Sequence, residues 1–273
     1  LGKGESFQTP EMVMVYSEAG LNGMSQTFHK LYRTRLARGT WRDKVRPILI
    51  NSWEAAYFDF TGDTIVELAK EAKALGIDMV VMDDGWFGKR NDDNSSLGDW
   101  YVNEEKLGGT LTKLIERVNA EGVKFGIWIE PEMVNPKSEL FEKHPDWAIM
   151  LPNRDTYYYR NQLVLDLSNP KVQDYVYSVV ENIMKENPEV AFFKWDCNSP
   201  ITNVYSPYLK EKQNQLYIDH VRGVYNVFKR VAEKYPHLPI MLCSGGGARC
   251  DYEALKYLSL IHISEPTRQA EIS

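Results

Sequence analysis

The sequence predicts an α/β chain folded as an incomplete (β/α)8 TIM barrel, with about the first five to six strands present. Three observations point there. Short apolar runs alternate with amphipathic helical stretches, the pattern of parallel βα units. The runs are continuously apolar, as strands covered on both faces require. In each run the polar residues gather at the C-terminal end: Asn51, Ser52 and Trp53; Asp83 and Asp84; Glu130; Asp196; Cys243, Ser244 and Gly245. That is the end at which a barrel carries its active site. An open doubly wound sheet also binds at strand ends, but it usually carries a Gly-rich phosphate turn after its first strand. No such turn follows residues 48–53.

Residues 7–16 read as a short extended stretch, broken by Gly20 and Gly23, and residues 24–36 have helical spacing through Phe28, Leu31 and Tyr32. The regular rhythm starts after Pro47. Residues 48–53 (ILINSW) predict the first strand. Residues 61–75 put Ile65, Leu68, Ala69 and Ala72 on one helical face, and Gly76 suits the C-terminal cap. Residues 79–86 (MVVMDDGW) predict the second strand. Leu111, Leu114, Ile115 and Val118 mark the next helix, closed by Gly122, and residues 124–130 (KFGIWIE) form the third strand. Asn169 and Pro170 open a helix with Val172, Val176, Val179 and Ile183 inward. Proline suits the first helical position because its missing N–H would have no intrahelical partner. Residues 190–196 (VAFFKWD) and 239–245 (PIMLCSG) are the fourth and fifth strands, separated by a helix over 208–234 with Leu216, His220, Val221, Val224, Phe228 and Val231 as its stripe. Residues 163–168 (LVLDLS) are a further extended piece that the alternation does not place.

The 273 residues carry 32 Lys+Arg against 38 Asp+Glu, a net charge of −6, so non-specific nucleic-acid binding through clustered cations is not expected. Aromatics at 12% and recurrent apolar runs exclude disorder as the main state. No stretch approaches the ~18 apolar residues of a membrane span. Three cysteines, Cys197, Cys243 and Cys250, are too few for a disulfide framework and fit a reducing, cytoplasmic setting.

Chemistry is read from the strand ends. Residues two apart on a strand share a face, so Lys194 and Asp196 point the same way. A neighbouring ammonium favours an ionised carboxylate, which a covalent nucleophile needs; a purely structural Lys–Asp pair is the alternative. Asp83 and Asp84 face opposite sides unless the chain turns at Gly85. As two acceptors at a strand tip they suit vicinal hydroxyls or a metal ion, or else a turn pair. Trp53, Trp86, Trp100 and Trp128 lie beside polar groups, as flat apolar walls of a sugar site do, although tryptophan is more often core. The glycine run after Ser244 suits either a phosphate cradle or, more simply, close approach of backbone to a ligand. Asp83 or Asp84 with Glu130 and Asp196 also fits a carboxylate metal site of the enolase type, against which Lys194 would compete as a cation.

SWEAAYFDF (52–60), MDDGWFGKRNDDNSSLGDW (82–100), GIWIEPEMVNP (126–136), FFKWDCN (192–198) and CSGGGAR (243–249) together resemble the barrel of bacterial α-galactosidases of glycoside hydrolase family 36, in the family's order and spacing. The resemblance implies a retaining hydrolase of terminal α-linked galactose, acting on melibiose- and raffinose-type oligosaccharides without cofactor or metal. It implies that Asp196 is the nucleophile and that Asp83 and Asp84 hold the galactose hydroxyls. It implies Trp53 and Trp128 as aromatic walls, Arg160, Lys194 and Asn198 as polar contacts, and Cys243 and Gly245 as the loop beside the sugar. An oligosaccharide is the partner it implies, with room for homo-oligomeric assembly of the intact enzyme. An α-N-acetylgalactosaminidase or galactosyl transferase on the same scaffold, and a non-catalytic sugar-binding barrel, stay open.

The resemblance also bears on the ends. Residues 1–40 are expected to be a remnant and linker from an N-terminal β-sandwich domain, and 41–257 the partial barrel. Residues 258–273 (LSLIHISEPTRQAEIS) resemble the translation of a transposase-type sequencing adapter, and are expected to be non-native. They stand where the family carries its general acid/base aspartate, about twenty residues past the equivalent of Cys243, in a Trp-x-Ser-Asp-Asn-type motif. The chain as given is therefore expected to be inactive.

Overall fold

The computed structural model describes residues 2–245, 248, 249, 251–258, 260 and 261. Cys250 and most of the segment 258–273 lie outside the described residues.

The barrel sheet takes shape from β1 (Leu49–Asn51), β2 (Met79–Met82) and β3 (Lys124–Ile129). After an excursion holding the short strands β4 (Met133–Val134) and β5 (Leu163–Val164), it continues through β6 (Phe193–Trp195), β7 (Ile240–Leu242) and β8 (Leu260–Ile261). The order is β1-β2-β3-β6-β7-β8, and every pairing is parallel. Among the described residues β1 and β8 are edges, so the sheet is a curled part of a barrel and not a closed one.

In chain order the helices are α1 (Gly20–Leu31), α2 (Trp53–Ala56), α3 (Gly62–Ala74), α4 (Glu104–Leu107), α5 (Leu111–Ala120), α6 (Glu139–Lys143), α7 (Pro170–Glu186) and α8 (Leu216–Lys234). Of these, α3, α5, α7 and α8 bury an apolar face in the main core. Thr61 caps α3, accepting from the Thr64 N–H while its own N–H donates to the Thr64 hydroxyl. Thr110 and Asn169 cap α5 and α7, each satisfying an N–H that the first turn leaves unpaired. Among the described residues no helix is long and apolar enough to cross a membrane.

Strand parity decides which residues meet. Val80, Met82, Phe125, Ile127, Ile129, Phe193, Trp195, Ile240 and Leu242 pack outward into the main core with the helices. Met79, Val81 and Phe192 form a separate inner cluster, joined by Leu49 and Met241. The same inner parity carries Asn51, Trp128, Lys194 and Asp196 to the barrel mouth. Register sets their level, because Trp128 lies opposite Lys194, and Lys194 opposite Met241.

Several expectations shift in detail. The ladders are shorter than the apolar runs, since Asp83, Glu130 and Asp196 have left the strands. Residues 163–168 do not join the barrel; Leu163–Val164 pairs antiparallel with Met133–Val134. The last long helix begins at Leu216 and not at 208. A 3-10 segment, Lys210–Gln215, precedes it, and there the Gln213 amide donates to the carbonyls of Ser206 and Lys210. The first helix starts earlier than expected, at Gly20, and ends in a π-helical turn, Tyr32–Leu36.

Candidate active site

The residues that the family resemblance marks for binding or catalysis line one cavity of about 880 Å³ at the C-terminal ends of the strands: Trp53, Asp83, Asp84, Trp128, Arg160, Lys194, Asp196, Asn198, Cys243 and Gly245. A second opening, about 830 Å³, lies at the opposite end of the sheet. Lys73, Lys124, Lys234 and Arg46 line it against one described carboxylate, Asp78. It lacks the paired acids that chemistry on a sugar would use.

Asp196 is 6% exposed and follows β6 directly. Its Oδ2 accepts the Trp128 Nε1–H at 3.0 Å, and its Oδ1 accepts the Cys197 N–H at 2.9 Å. Burial pushes its carboxyl upward, but the Lys194 charge and hydrogen bonds from Asn198, Trp128 and Cys197 outweigh burial, leaving it below the usual carboxylate range. The group is therefore held ionised in a nearly dry place, the state a nucleophile needs.

Lys194 makes its direct contact elsewhere than the two-residue spacing suggested. Its Nζ donates to Asp83 Oδ2 at 2.8 Å, and the Asn51 amide donates to the same oxygen at 2.7 Å. Lys194 reaches Asp196 through its field. Burial disfavours its charge, yet Asp83 and Asp196 hold it above the usual lysine range.

Asp84 is bound in a buried fork, with Arg90 Nε on Oδ1 and Nη2 on Oδ2, both at 2.7 Å. Burial raises the Asp84 carboxyl despite that guanidinium. Gly85, at φ 106°, makes the turn that brings both aspartates to one cavity. Arg160 and Asn161 occupy a tight turn at φ 52° and 60°, between the bridged residues Tyr159 and Gln162. Two successive positive φ values are rare for arginine. The turn is anchored where the Asn135 amide donates to the Asn161 carbonyl, and it sets Arg160 over the mouth.

The tryptophans divide. Trp53 and Trp128 line the cavity. Trp86 is fully buried, its Nε1–H donating to the Trp128 carbonyl, and with Phe87 and Trp100 it packs behind Trp128. Trp86 and Trp100 thus support the wall and do not form it. On the far side, Asn198 Oδ1 accepts the Gly245 N–H at 2.9 Å, and the Ser244 hydroxyl donates to the Cys197 carbonyl, tying the loop after β7 to the loop after β6.

The family model for Melibiase matches residues 6–271. The chain belongs to the Melibiase family. Alpha-galactosidase AgaA of Geobacillus stearothermophilus is 51% identical over 268 residues, 98% of this chain and 37% of that protein. The bifunctional alpha-galactosidase/sucrose kinase AgaSK of Mediterraneibacter gnavus is 51% identical over 267 residues, 98% of this chain and 28% of that protein. The crystal structure of the GH36 enzyme AgaA superposes with a TM-score of 0.93 at 51% identity, covering 97% of this chain and 37% of that one. This Melibiase chain thus spans about a third of the length of the curated relatives it matches.

Three further residues of this site carry no role in the reading of the sequence as a sugar site. Asn51 was legible only as a polar strand end. Arg90 sits in a loop whose path no periodicity gives. Glu130, a polar strand end that suits a metal ligand in the enolase-type alternative, lines the cavity and accepts the Asn198 N–H.

Proposed function

We propose that this chain is the nucleophile-bearing part of a retaining α-galactosidase acting on terminal α-linked galactose of melibiose- and raffinose-type oligosaccharides, in the cytoplasm. The observation that carries the reading is the buried Asp196 carboxylate, fixed by Trp128 and the Cys197 N–H and held ionised beside Lys194. Asp196 attacks the anomeric carbon, the bond to the leaving oxygen breaks, and a glycosyl-enzyme ester forms. Water then releases galactose and frees the carboxylate. A second carboxyl, about 5–5.5 Å away in retaining enzymes, must protonate the leaving oxygen. No residue in that role is assigned among the described residues; it belongs to sequence following β7.

Asp83 and Asp84 supply the acceptors for galactose hydroxyls. Each is already aligned by a cation, Lys194 or Arg90, so little reorganisation accompanies binding. Those pairings also favour hydroxyl recognition over a carboxylate metal site, since a metal ion would compete with two fixed cations. Trp53 and Trp128 offer the flat faces for the pyranose, and Arg160, Asn198, Cys243 and Gly245 complete the rim. Crystals of AgaA variants have been solved with stachyose and with raffinose, ligands of the chemical class proposed here.

Residues 258–273 are proposed to be foreign to the gene, which sequencing across the Tyr257–Leu258 junction decides. The functional test is the full-length gene product assayed on α-galactosides and α-N-acetylgalactosaminides. Hydrolysis of the first with release of α-galactose supports the reading. Inactivity on both, or preference for the second, overturns it.

A further inference from the structure

Glu130 follows β3 with the inward parity of Trp128 and is 2% exposed. Its Oε1 accepts the N–H of Asn198, two residues beyond Asp196. Asn198 in turn hydrogen-bonds the Asp196 carboxylate through its side chain, and its Oδ1 accepts the Gly245 N–H. One carboxyl group therefore anchors the peptide that carries both the nucleophile's partner and the link to the loop after β7.

The charges around Glu130 come from two neighbouring segments. Asp84 and Arg90 face it from the loop after β2, and Asp196 and Cys197 from the end of β6. Arg90 is committed to Asp84 through Nε and Nη2, and its Nη1 donates to the Ser95 carbonyl and Asn135 Oδ1. Lys194 is committed to Asp83. Among the described residues no cation forms an ion pair with Glu130, while two carboxylates flank it. A buried carboxyl in such surroundings favours its neutral form.

We infer that Glu130 is a positioning residue for the Asp196 nucleophile, acting as an uncharged acid that fixes the Asn198 peptide. The inference rests on the α-galactosidase reading above. Burial first, and then the charges of Asp196 and Asp84, push the Glu130 carboxyl well above the usual carboxylate range, in agreement with the geometry. A neutral Glu130 also leaves Asp196 free of a third negative charge that would oppose its ionisation.

The test uses the full-length enzyme carrying Glu130→Gln or Glu130→Ala. Glutamine keeps the shape and the acceptor without a charge; alanine removes the anchor. A misplacement of about 1 Å at a reacting group can cost about a hundredfold. E130A is therefore expected to lose about a hundredfold in kcat, with a much smaller change in KM, and E130Q to recover most of that loss. The acidic limb of the E130Q kcat/KM profile should coincide with that of the wild type, because no charge has been removed. An ionised Glu130 would instead give E130Q a limb displaced to lower pH. Infrared difference spectra supply a readout independent of turnover: a carboxylic-acid C=O band present at neutral pH in the wild type and absent from E130Q. Absence of that band, a displaced limb, or equal loss in E130Q and E130A overturns the inference. A wild type inactive on α-galactosides strikes the functional reading instead, while the infrared band still decides whether Glu130 is neutral.

Discussion

Lys194 bonds Asp83, not Asp196: its Nζ lies 2.8 Å from Asp83 Oδ2 across the barrel mouth. One cation thus serves two carboxylates. It aligns the first by contact and keeps the second ionised by its field.

Replacing Lys194 with methionine should therefore change the pH dependence as well as binding. Without the ammonium, the Asp196 carboxyl rises, and the reactive carboxylate is lost sooner as pH falls. The acidic limb of kcat/KM in the full-length enzyme is expected to move to higher pH. A limb that stays in place would show that Lys194 does not act on the nucleophile.

Asp196→Ala should abolish turnover of aryl α-galactosides by the full-length enzyme, and azide should partly restore it by entering the space the carboxylate leaves. Near-normal kcat in the variant would remove Asp196 from the mechanism.

The Asp84–Arg90 fork is buried on both sides, with side-chain exposures of 9% and 4%. Removing one partner of such a pair costs about 3–5 kcal/mol, because the other charge stays buried and unpaired. Arg90→Met should lose stability of that order in urea unfolding. Asp84→Asn should lower kcat/KM tens-fold or more, since hydrogen bonds to charged acceptors are worth about 1.5–3 kcal/mol. A stability loss with unchanged kinetic constants in Asp84→Asn would make the pair structural only.

Gly223 lies where α8 crosses the chain after β5. A Cβ there would sit 1.9 Å from the Leu167 carbonyl oxygen. Gly223→Ala must displace backbone, and overpacking of this kind typically costs about 1–3 kcal/mol. Thermal unfolding of the full-length variant checks it; an unchanged melting temperature would mean that the two segments part at little cost.

Residues 1–273 expressed alone should aggregate and show no turnover, even on activated aryl α-galactosides. The described sheet leaves β1 and β8 as edges, and Met12 and Met14 are exposed at 81% and 86%. Unpaired edges and exposed apolar side chains promote association. A soluble, cooperatively melting chain that hydrolyses such substrates would contradict this.

The sequence by itself determined the βα alternation, the parity that turns Trp128, Lys194 and Asp196 inward, and the polar strand ends that mark the mouth. These follow from local periodicity and from apolar residues seeking cover on both faces of a sheet. It could not determine the partners. Lys194 and Asp196 are neighbours on one strand, but the contact goes to Asp83, 111 residues away in sequence, because sheet curvature brings the end of β2 across the mouth. Trp86 and Trp128 look alike as aromatic residues near strand ends. Only packing separates them: Trp86 follows the turn at Gly85 into the core, while Trp128 keeps the inner parity of β3. Arg90 and Arg160 belong to the tertiary level for the same reason. Their positions depend on loops and on two positive φ values, and the surroundings of Glu130 on charges contributed by other segments, none of which leaves a periodic trace in the chain.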